Sequence, residues 1–134
     1  RRHTRMIAEF GGLAGVIPLF TGVFLFVTLS SIGLPGLNGF VGEFLILGGS
    51  WSVFPAAVVC GGLGIILGAV YMLWMVQRVF WGPLDNPANQ DLPDLTIREF
   101  FVMFPLLVLI VWIGVHPMTF LSPMEAAVRL LLAQ

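Results

Sequence analysis

The sequence predicts an all-α, polytopic membrane helix bundle with three transmembrane helices, the first of them discontinuous, followed by a short C-terminal surface helix. Of the 134 residues, 58% are hydrophobic and 10% are charged, and the mean hydropathy is +1.01. A soluble domain carries about 25% charged residues, and a chain of this length cannot hide so much apolar surface in its interior. The charges are also spaced so widely that the stretches between them are long enough to cross a bilayer. We therefore expect lipid to surround most of the chain.

The first apolar stretch covers residues 17–49, which is longer than the roughly 20 residues that one straight crossing requires. It is interrupted by Gly33, Pro35 and Gly36. Proline removes a backbone donor and clashes with the preceding helical turn, and non-helical backbone survives in a membrane only where it is buried in protein or lines a wet cavity. We interpret the stretch as two half-helices joined by an unwound segment that extends to Asn38. A proline kink in one long tilted helix is the alternative.

Two further spans are predicted at residues 55–81 and 100–120. The earlier one contains Gly64 and Gly68, a spacing that lets helix backbones approach closely, and we interpret it as a surface for tight helix packing. Pro105 falls in the first turns of the later span, where its missing backbone donor costs least. The three spans together account for the long charge-poor stretches.

Polar segments separate and follow these spans. Residues 82–98 hold three Pro and three Asp, a composition that predicts a water-exposed loop. A final short helix is predicted to open at Ser122 as its N-cap, with Pro123 at the first position and Glu125 in the first turn. We expect this helix to lie along the membrane surface or on a neighbouring protein.

The placement of arginine predicts the orientation in the membrane. With three spans, the N-terminal segment and the 82–98 loop lie on one side, and the 51–54 turn and the C-terminus lie on the other. Of the six positive charges, all but Arg129 lie on the first side: Arg1, Arg2, Arg5, Arg78 and Arg98. Since Arg-rich short loops stay cytoplasmic, we expect the first side to face the cytoplasm or its organellar equivalent.

Glu43 is the one side chain between Glu9 and Arg78 that is expected to be charged at neutral pH. An unpaired charge at mid-membrane costs about 2.5–3.5 kcal/mol on insertion scales, so such a residue usually faces a bundle interior or water and has a task there. A carboxyl group whose proton affinity responds to burial and to neighbouring charge can load and release a proton. We therefore predict that Glu43 is a buried proton relay beside the helix break. A protonated Glu that bonds to the backbone purely for packing is the alternative.

Other chemistries find no support in the sequence. Lys is absent and the net charge is −1, so no basic patch predicts a nucleic-acid partner. The single cysteine, Cys60, lies in an apolar run, and we interpret it as a small buried hydrophobe. There is no Cys/His metal spacing, no glycine-rich phosphate loop and no nucleophile beside a base. We therefore expect no redox centre, cofactor or metal in this chain.

Three segments carry a resemblance to a known family. They are HTR at residues 3–5, LSSIGLPGLNGFVGEFLIL at residues 29–47 and VYMLWMVQRVFWG at residues 70–82. Together they resemble chain M, also called subunit 4, of the proton-translocating NADH:quinone oxidoreductases (respiratory complex I). The resemblance covers nearly the whole chain, and LPGLNGFVGEF is its most specific part. The sequence also begins without Met, so we expect residues 1–134 to be the C-terminal part of an antiporter-like, proton-translocating membrane subunit.

The resemblance implies that the first span is a discontinuous helix with a charged residue in an outward proton half-channel, and Glu43 occupies this place. It implies a translocase subunit of the bacterial inner (cell) membrane or the mitochondrial inner membrane, with the lipid bilayer and other membrane subunits of the complex as partners. NADH, flavin, iron–sulfur clusters and quinone are then expected on other subunits. Two alternatives remain open: a subunit of a related multisubunit Na+/H+ antiporter or membrane-bound hydrogenase, and an inert structural membrane helix bundle.

Overall fold

The computed structural model describes residues 4–132, apart from the side chain of Ala126, and these residues form helices and turns with no strand. The helices are, in chain order, α1 (Leu13–Val16), α2 (Pro18–Ser31), α3 (Asn38–Ser50), α4 (Pro55–Phe80), α5 (Ile97–Val115) and α6 (Met118–Leu132). Short 3-10 turns lie at Ile7–Glu9 and Pro87–Asn89. The predicted all-α class is confirmed.

Within residues 4–132, two helices are long and apolar enough to cross a membrane: α4 with 26 residues and α5 with 19 residues. The helix α2 is apolar but shorter. Large apolar side chains project outward from both long helices, and Leu67 and Val102 are 67% and 66% exposed. Contact between water and so much apolar surface is unfavourable, so lipid or neighbouring protein must cover these helices. The architecture is that of a membrane helix bundle.

The buried core lies at one end of the bundle, where α4 ends and where α1 and α2 begin. Its members are Leu13, Ile17, Val76, Val79 and Phe80. The ring of Phe80 also packs against Phe20 and Phe24 of α2, with centroid distances of 6.3 and 5.0 Å. These contacts hold the start of α2 against the last turns of α4, so the two helices are antiparallel.

The loop between α4 and α5 is partly packed, whereas the sequence predicted a water-exposed loop. Asp85 and Asp91 are exposed, but Asn89 is fully buried, and its Nδ2 donates a 2.9 Å hydrogen bond to the carbonyl oxygen of Glu9. Asn86 Nδ2 contacts the Glu9 carboxylate at 3.2 Å. The two amide side chains therefore hold the loop against the N-terminal segment.

Asp94 in the same loop caps α2 from a distance. Its carboxylate accepts hydrogen bonds from the backbone N–H groups of Leu19 and Phe20, at 2.9 and 3.0 Å. The first N–H groups of a helix have no partner inside the helix, and the residue before α2, Ile17, supplies no side-chain cap. A carboxylate is also favoured at the positive end of the helix dipole. Asp94 thus anchors the α4–α5 loop to the first turn of α2.

The helix α5 begins at Ile97, three residues before the predicted start of the third span, and ends at Val115 instead of residue 120. A capping box starts it: Glu99 N–H donates to Thr96 Oγ1 at 3.3 Å, and Thr96 N–H donates to Glu99 Oε2 at 2.8 Å. Pro105 therefore lies inside the helix, and its predicted place in the first turns is wrong.

The predicted start of the last helix is also wrong. α6 begins at Met118, because the carbonyl oxygen of Pro117 accepts the N–H groups of Phe120 and Leu121, both at 3.0 Å, and so closes the first turn there. Ser122 and Pro123 consequently lie within α6, and Ser122 is not its N-cap. The proline that ends α5 also opens α6.

Two expectations about α4 need correction. Cys60 is exposed on the helix surface, whereas the sequence predicted a buried position. An ideal Cβ built on Gly64 meets no atom within 4 Å, and one on Gly68 meets only Tyr71 Cε1 at 3.9 Å. Among the described residues, this glycine pair therefore borders open space and does not pack against another helix.

Candidate functional site: the helix break

The helix α2 ends in a Schellman motif. Leu34 N–H donates to the carbonyl oxygen of Leu29 at 3.1 Å, and Gly33 N–H donates to that of Ser30 at 3.3 Å. The motif requires the left-handed region at the residue just before its last, and Gly33 in that place has φ +75°. Glycine adopts this conformation without the Cβ strain that other residues meet there.

A β-turn follows the Schellman motif immediately. Leu37 N–H donates to the carbonyl oxygen of Leu34 at 3.1 Å, with Pro35 second and Gly36 third in the turn, the latter at φ +93°. A type II turn favours proline at its second position and requires positive φ at its third. The unwound segment therefore consists of two defined turns in succession.

Asn38 was predicted to extend the unwound segment, but it is the first residue of α3. Its Oδ1 accepts a hydrogen bond from the Ser30 hydroxyl, which ties the start of α3 to the end of α2. Gly39 follows, and a Cβ there would overlap the carbonyl oxygen of Ser30. The end of α2 therefore touches the start of α3, and only a glycine fits at this contact.

The carboxylate of Glu43 lies against the turn that ends α2. A Cβ on Gly33 would overlap Glu43 Oε2 and would lie 3.2 Å from Glu43 Cδ. Glu43 is half-buried in this chain, whereas the sequence predicted a buried side chain. The side chain is less buried than expected because it reaches a cleft and not a closed core.

This cleft has a volume of about 340 Å³ and lies between the break and α4. Ser31 and Glu43 contribute to one wall, and the opposite wall is lined by small residues and one tyrosine of α4, among them Gly61, Gly64, Gly68 and Tyr71. Glycines without side chains leave room there for small molecules such as water.

Polar groups also line the cleft. The Ser31 hydroxyl donates to the carbonyl oxygen of Val27 at 3.0 Å and keeps its lone pairs as acceptors. The cleft thus has room for water beside the hydroxyl groups of Ser31 and Tyr71 and the carboxylate of Glu43.

A third helix meets the break from another side. A Cβ on Gly114 of α5 would overlap the carbonyl oxygen of Gly36 and Leu37 Cα. The sequence offers one weak signal for this contact, since Gly114 is a lone glycine in an otherwise apolar run. The sequence likewise gives little sign of Asp94, because its partners lie 74 and 75 residues away.

Comparison with known proteins places this site in a family. Residues 1–75, which contain the break and Glu43, match the family described as NADH:quinone oxidoreductase/Mrp antiporter, transmembrane. The chain is 41% identical over 128 residues to NADH-ubiquinone oxidoreductase chain 4 of Arabidopsis thaliana, an alignment that covers 96% of this chain and 26% of that protein. It is 40% identical over 129 residues to NADH-quinone oxidoreductase subunit M of Mycobacterium tuberculosis, with 96% and 23% covered.

Subunit M of Rickettsia bellii is 40% identical over 134 residues, with 100% of this chain and 27% of that protein covered. The chain therefore spans about a quarter of the length of these relatives. The matches agree with the resemblance carried by the segments at residues 3–5, 29–47 and 70–82, and that resemblance is confirmed. The chain belongs to the NADH:quinone oxidoreductase/Mrp antiporter family of membrane proteins.

Proposed function

We propose that this chain is part of the proton-translocating membrane arm of an NADH:quinone oxidoreductase, and that Glu43 relays protons within it. The observation that carries the proposal is the position of the Glu43 carboxylate, which lies against Gly33 of the helix break and reaches the cleft beside α4. Intramembrane carboxylates at irregular backbone are typical of ion pathways. The names of the relatives support our assignment of the chain to this complex.

In this proposal the chemistry at Glu43 is a reversible proton transfer. Water in the cleft delivers a proton to the carboxylate, which becomes the neutral acid, and the acid later passes the proton to the next group on the pathway. The Schellman turn keeps the carboxylate beside the break because Gly33 has no side chain to displace it. No electron moves in this step. NADH, flavin, iron–sulfur clusters and quinone are assigned to other subunits, and energy from their redox reaction reaches Glu43 through the membrane arm.

The proposal also places the chain in a bacterial inner membrane or a mitochondrial inner membrane, with other membrane subunits and lipid around it. The exposed apolar side chains of α4 and α5 support this placement, because they require an apolar environment. An Na+/H+ antiporter subunit would present the same surfaces, and its partner proteins would distinguish it: purification of the full-length protein should bring down NADH-oxidising subunits.

The test is the substitution Glu43→Gln in the full-length subunit of the assembled complex. Glutamine keeps the size and hydrogen-bonding capacity of the side chain but cannot ionise. We expect the complex to assemble, as checked on a native gel, and proton-gradient formation per NADH oxidised to fall severalfold in membranes. The matched control is Glu125→Gln on α6, where the carboxylate is exposed and pairs with Arg129 at 2.6 Å. Normal proton translocation by an assembled Glu43→Gln complex would refute the relay and favour an inert helix bundle.

A further inference from the structure

The helix α5 contains a single glycine, Gly114, one residue before its end at Val115. Glycine within a helix is less favourable than alanine, and the run FFVMFPLLVLIVWIGV gives no turn that would require it. A close contact that a methyl group would block supplies the reason for a glycine here.

That contact is with the backbone of the helix break. A Cβ on Gly114 would overlap the carbonyl oxygen and carbon of Gly36 and Leu37 Cα. These are main-chain atoms of a hydrogen-bonded turn, and no side-chain rotation can make room for a methyl group. Leu37 is itself buried, at 7% exposure, so the turn has little freedom to withdraw. Any side chain at position 114 must therefore move α5 and the break apart.

The same turn connects this contact to Glu43. Gly36 lies three residues after Gly33, and the Leu37–Leu34 hydrogen bond of 3.1 Å holds the intervening backbone. Gly33 in turn forms the surface against which the Glu43 carboxylate lies. A displacement that begins at Gly114 would thus reach the backbone against which the Glu43 carboxylate lies through two defined turns.

We propose that Gly114 is a positioning residue for proton translocation: it seats α5 against the Gly36–Leu37 backbone and thereby fixes the break that holds Glu43. The part of this inference that concerns proton movement rests on the proposed function, whereas the part that concerns the position of the break does not. A glycine that makes no such contact serves as a control. Gly62 of α4, for example, has no atom within 4 Å of its Cβ position among the described residues.

The first experiment compares Gly114→Ala with Gly62→Ala in the full-length subunit of the assembled complex. The position of the break is read from the maleimide-labelling rate of a cysteine at Leu34, which lies in the turn and is 42% exposed, in a Cys60→Ala background. We expect Gly114→Ala to change this rate severalfold and to lower the protons translocated per NADH oxidised, and Gly62→Ala to do neither. Unchanged labelling and unchanged translocation in assembled Gly114→Ala would overturn the proposal.

Glu43→Gln measured in parallel separates the two claims. If Glu43→Gln loses translocation while Gly114→Ala retains both readouts, the relay stands and the positioning role fails. If Glu43→Gln translocates normally, the relay fails, and a labelling change in Gly114→Ala still supports Gly114 as the residue that positions the break.

A second experiment leaves Gly114 in place and so remains informative if Gly114→Ala does not assemble. Cysteines at Leu34 and Val115, both exposed, are joined by a short bis-maleimide, and the linked peptides are detected by mass spectrometry. We expect the cross-link to form and proton translocation to continue, because the break and α5 keep a fixed relation. Absence of the link, or translocation abolished by it, would overturn the proposal. The unlinked double-cysteine variant is the control.

Discussion

The carboxylate of Asp94 accepts a 2.9 Å hydrogen bond from the backbone N–H of Leu19, across 75 residues of sequence. With its second bond, to the N–H of Phe20, the carboxylate satisfies two backbone donors at the start of α2, the half-helix that ends at the break. The position of the break therefore depends on two anchors from the second half of the chain: the α4–α5 loop at the start of α2, and Gly114 of α5 at its end.

Replacing Asp94 by Ala should destabilise the subunit by about 0.5–2 kcal/mol, the usual effect of losing a helix N-cap. The measurement is the temperature at which the full-length subunit is lost from the solubilised complex on a native gel. The control is Asp85→Ala, an exposed carboxylate of the same loop. Equal loss temperatures for the two variants would show that Asp94 does not stabilise α2.

Gly33→Ala should impair proton translocation more than Gly36→Ala. Both residues have positive φ, where any other residue meets strain of roughly 1–2 kcal/mol. Only the methyl group at position 33 would also collide with the Glu43 carboxylate, since a Cβ at position 36 meets no atom within 4 Å. The measurement is protons translocated per NADH oxidised by assembled complexes, and equal losses would mean that backbone strain alone decides the effect.

Glu43→Asp should retain proton translocation at a level between those of wild type and Glu43→Gln. Aspartate preserves the ionisable group but withdraws it by one methylene from Gly33, which forms its present contact. Proton-gradient formation in membranes measures the effect, with Glu125→Asp as the matched change on α6. If the Asp variant translocated no better than the Gln variant, ionisation would not be the property that matters at this position.

The arginine distribution predicts that the 51–54 turn and the α4–α5 loop lie on opposite membrane faces. Single cysteines at Ser52 and Asp85, both exposed, should react with a membrane-impermeant maleimide from opposite sides, Asp85 from the cytoplasmic side. The full-length protein with Cys60→Ala provides the background, because Cys60 is itself exposed. Labelling of both sites from one side would contradict the predicted topology.

The parts of the fold that local backbone geometry decides can be predicted from the sequence. Gly33, Pro35 and Gly36 lie between α2 and α3 because each meets a requirement of its own turn, and such requirements are local. Hydropathy places the start of α5 too late, since the capping residues Thr96 and Glu99 are polar. Their Thr-x-x-Glu spacing is nevertheless a recognisable N-terminal signal.

Contacts between distant segments cannot be predicted from the sequence in this way. The bond from Asp94 to the start of α2 and the contact of Gly114 with the break depend on how separate helices pack, and no spacing in the sequence encodes that arrangement. The half-buried state of Glu43 has the same origin, because the cleft exists only where α4 presents glycines to the break. Helix packing therefore limits what the sequence can predict about this site.

The two successive turns of the break also determine how easily the main chain can bend there. Their main-chain hydrogen bonds, at 3.1 and 3.3 Å in the first turn and 3.1 Å in the second, oppose bending of this connection. Bending it would break these bonds, and main-chain groups freed inside a membrane protein find few replacement partners. Rotamer changes of one carboxylate take far less time than collective helix movements. The Glu43 side chain can therefore change rotamer without any bending of the main chain at this corner.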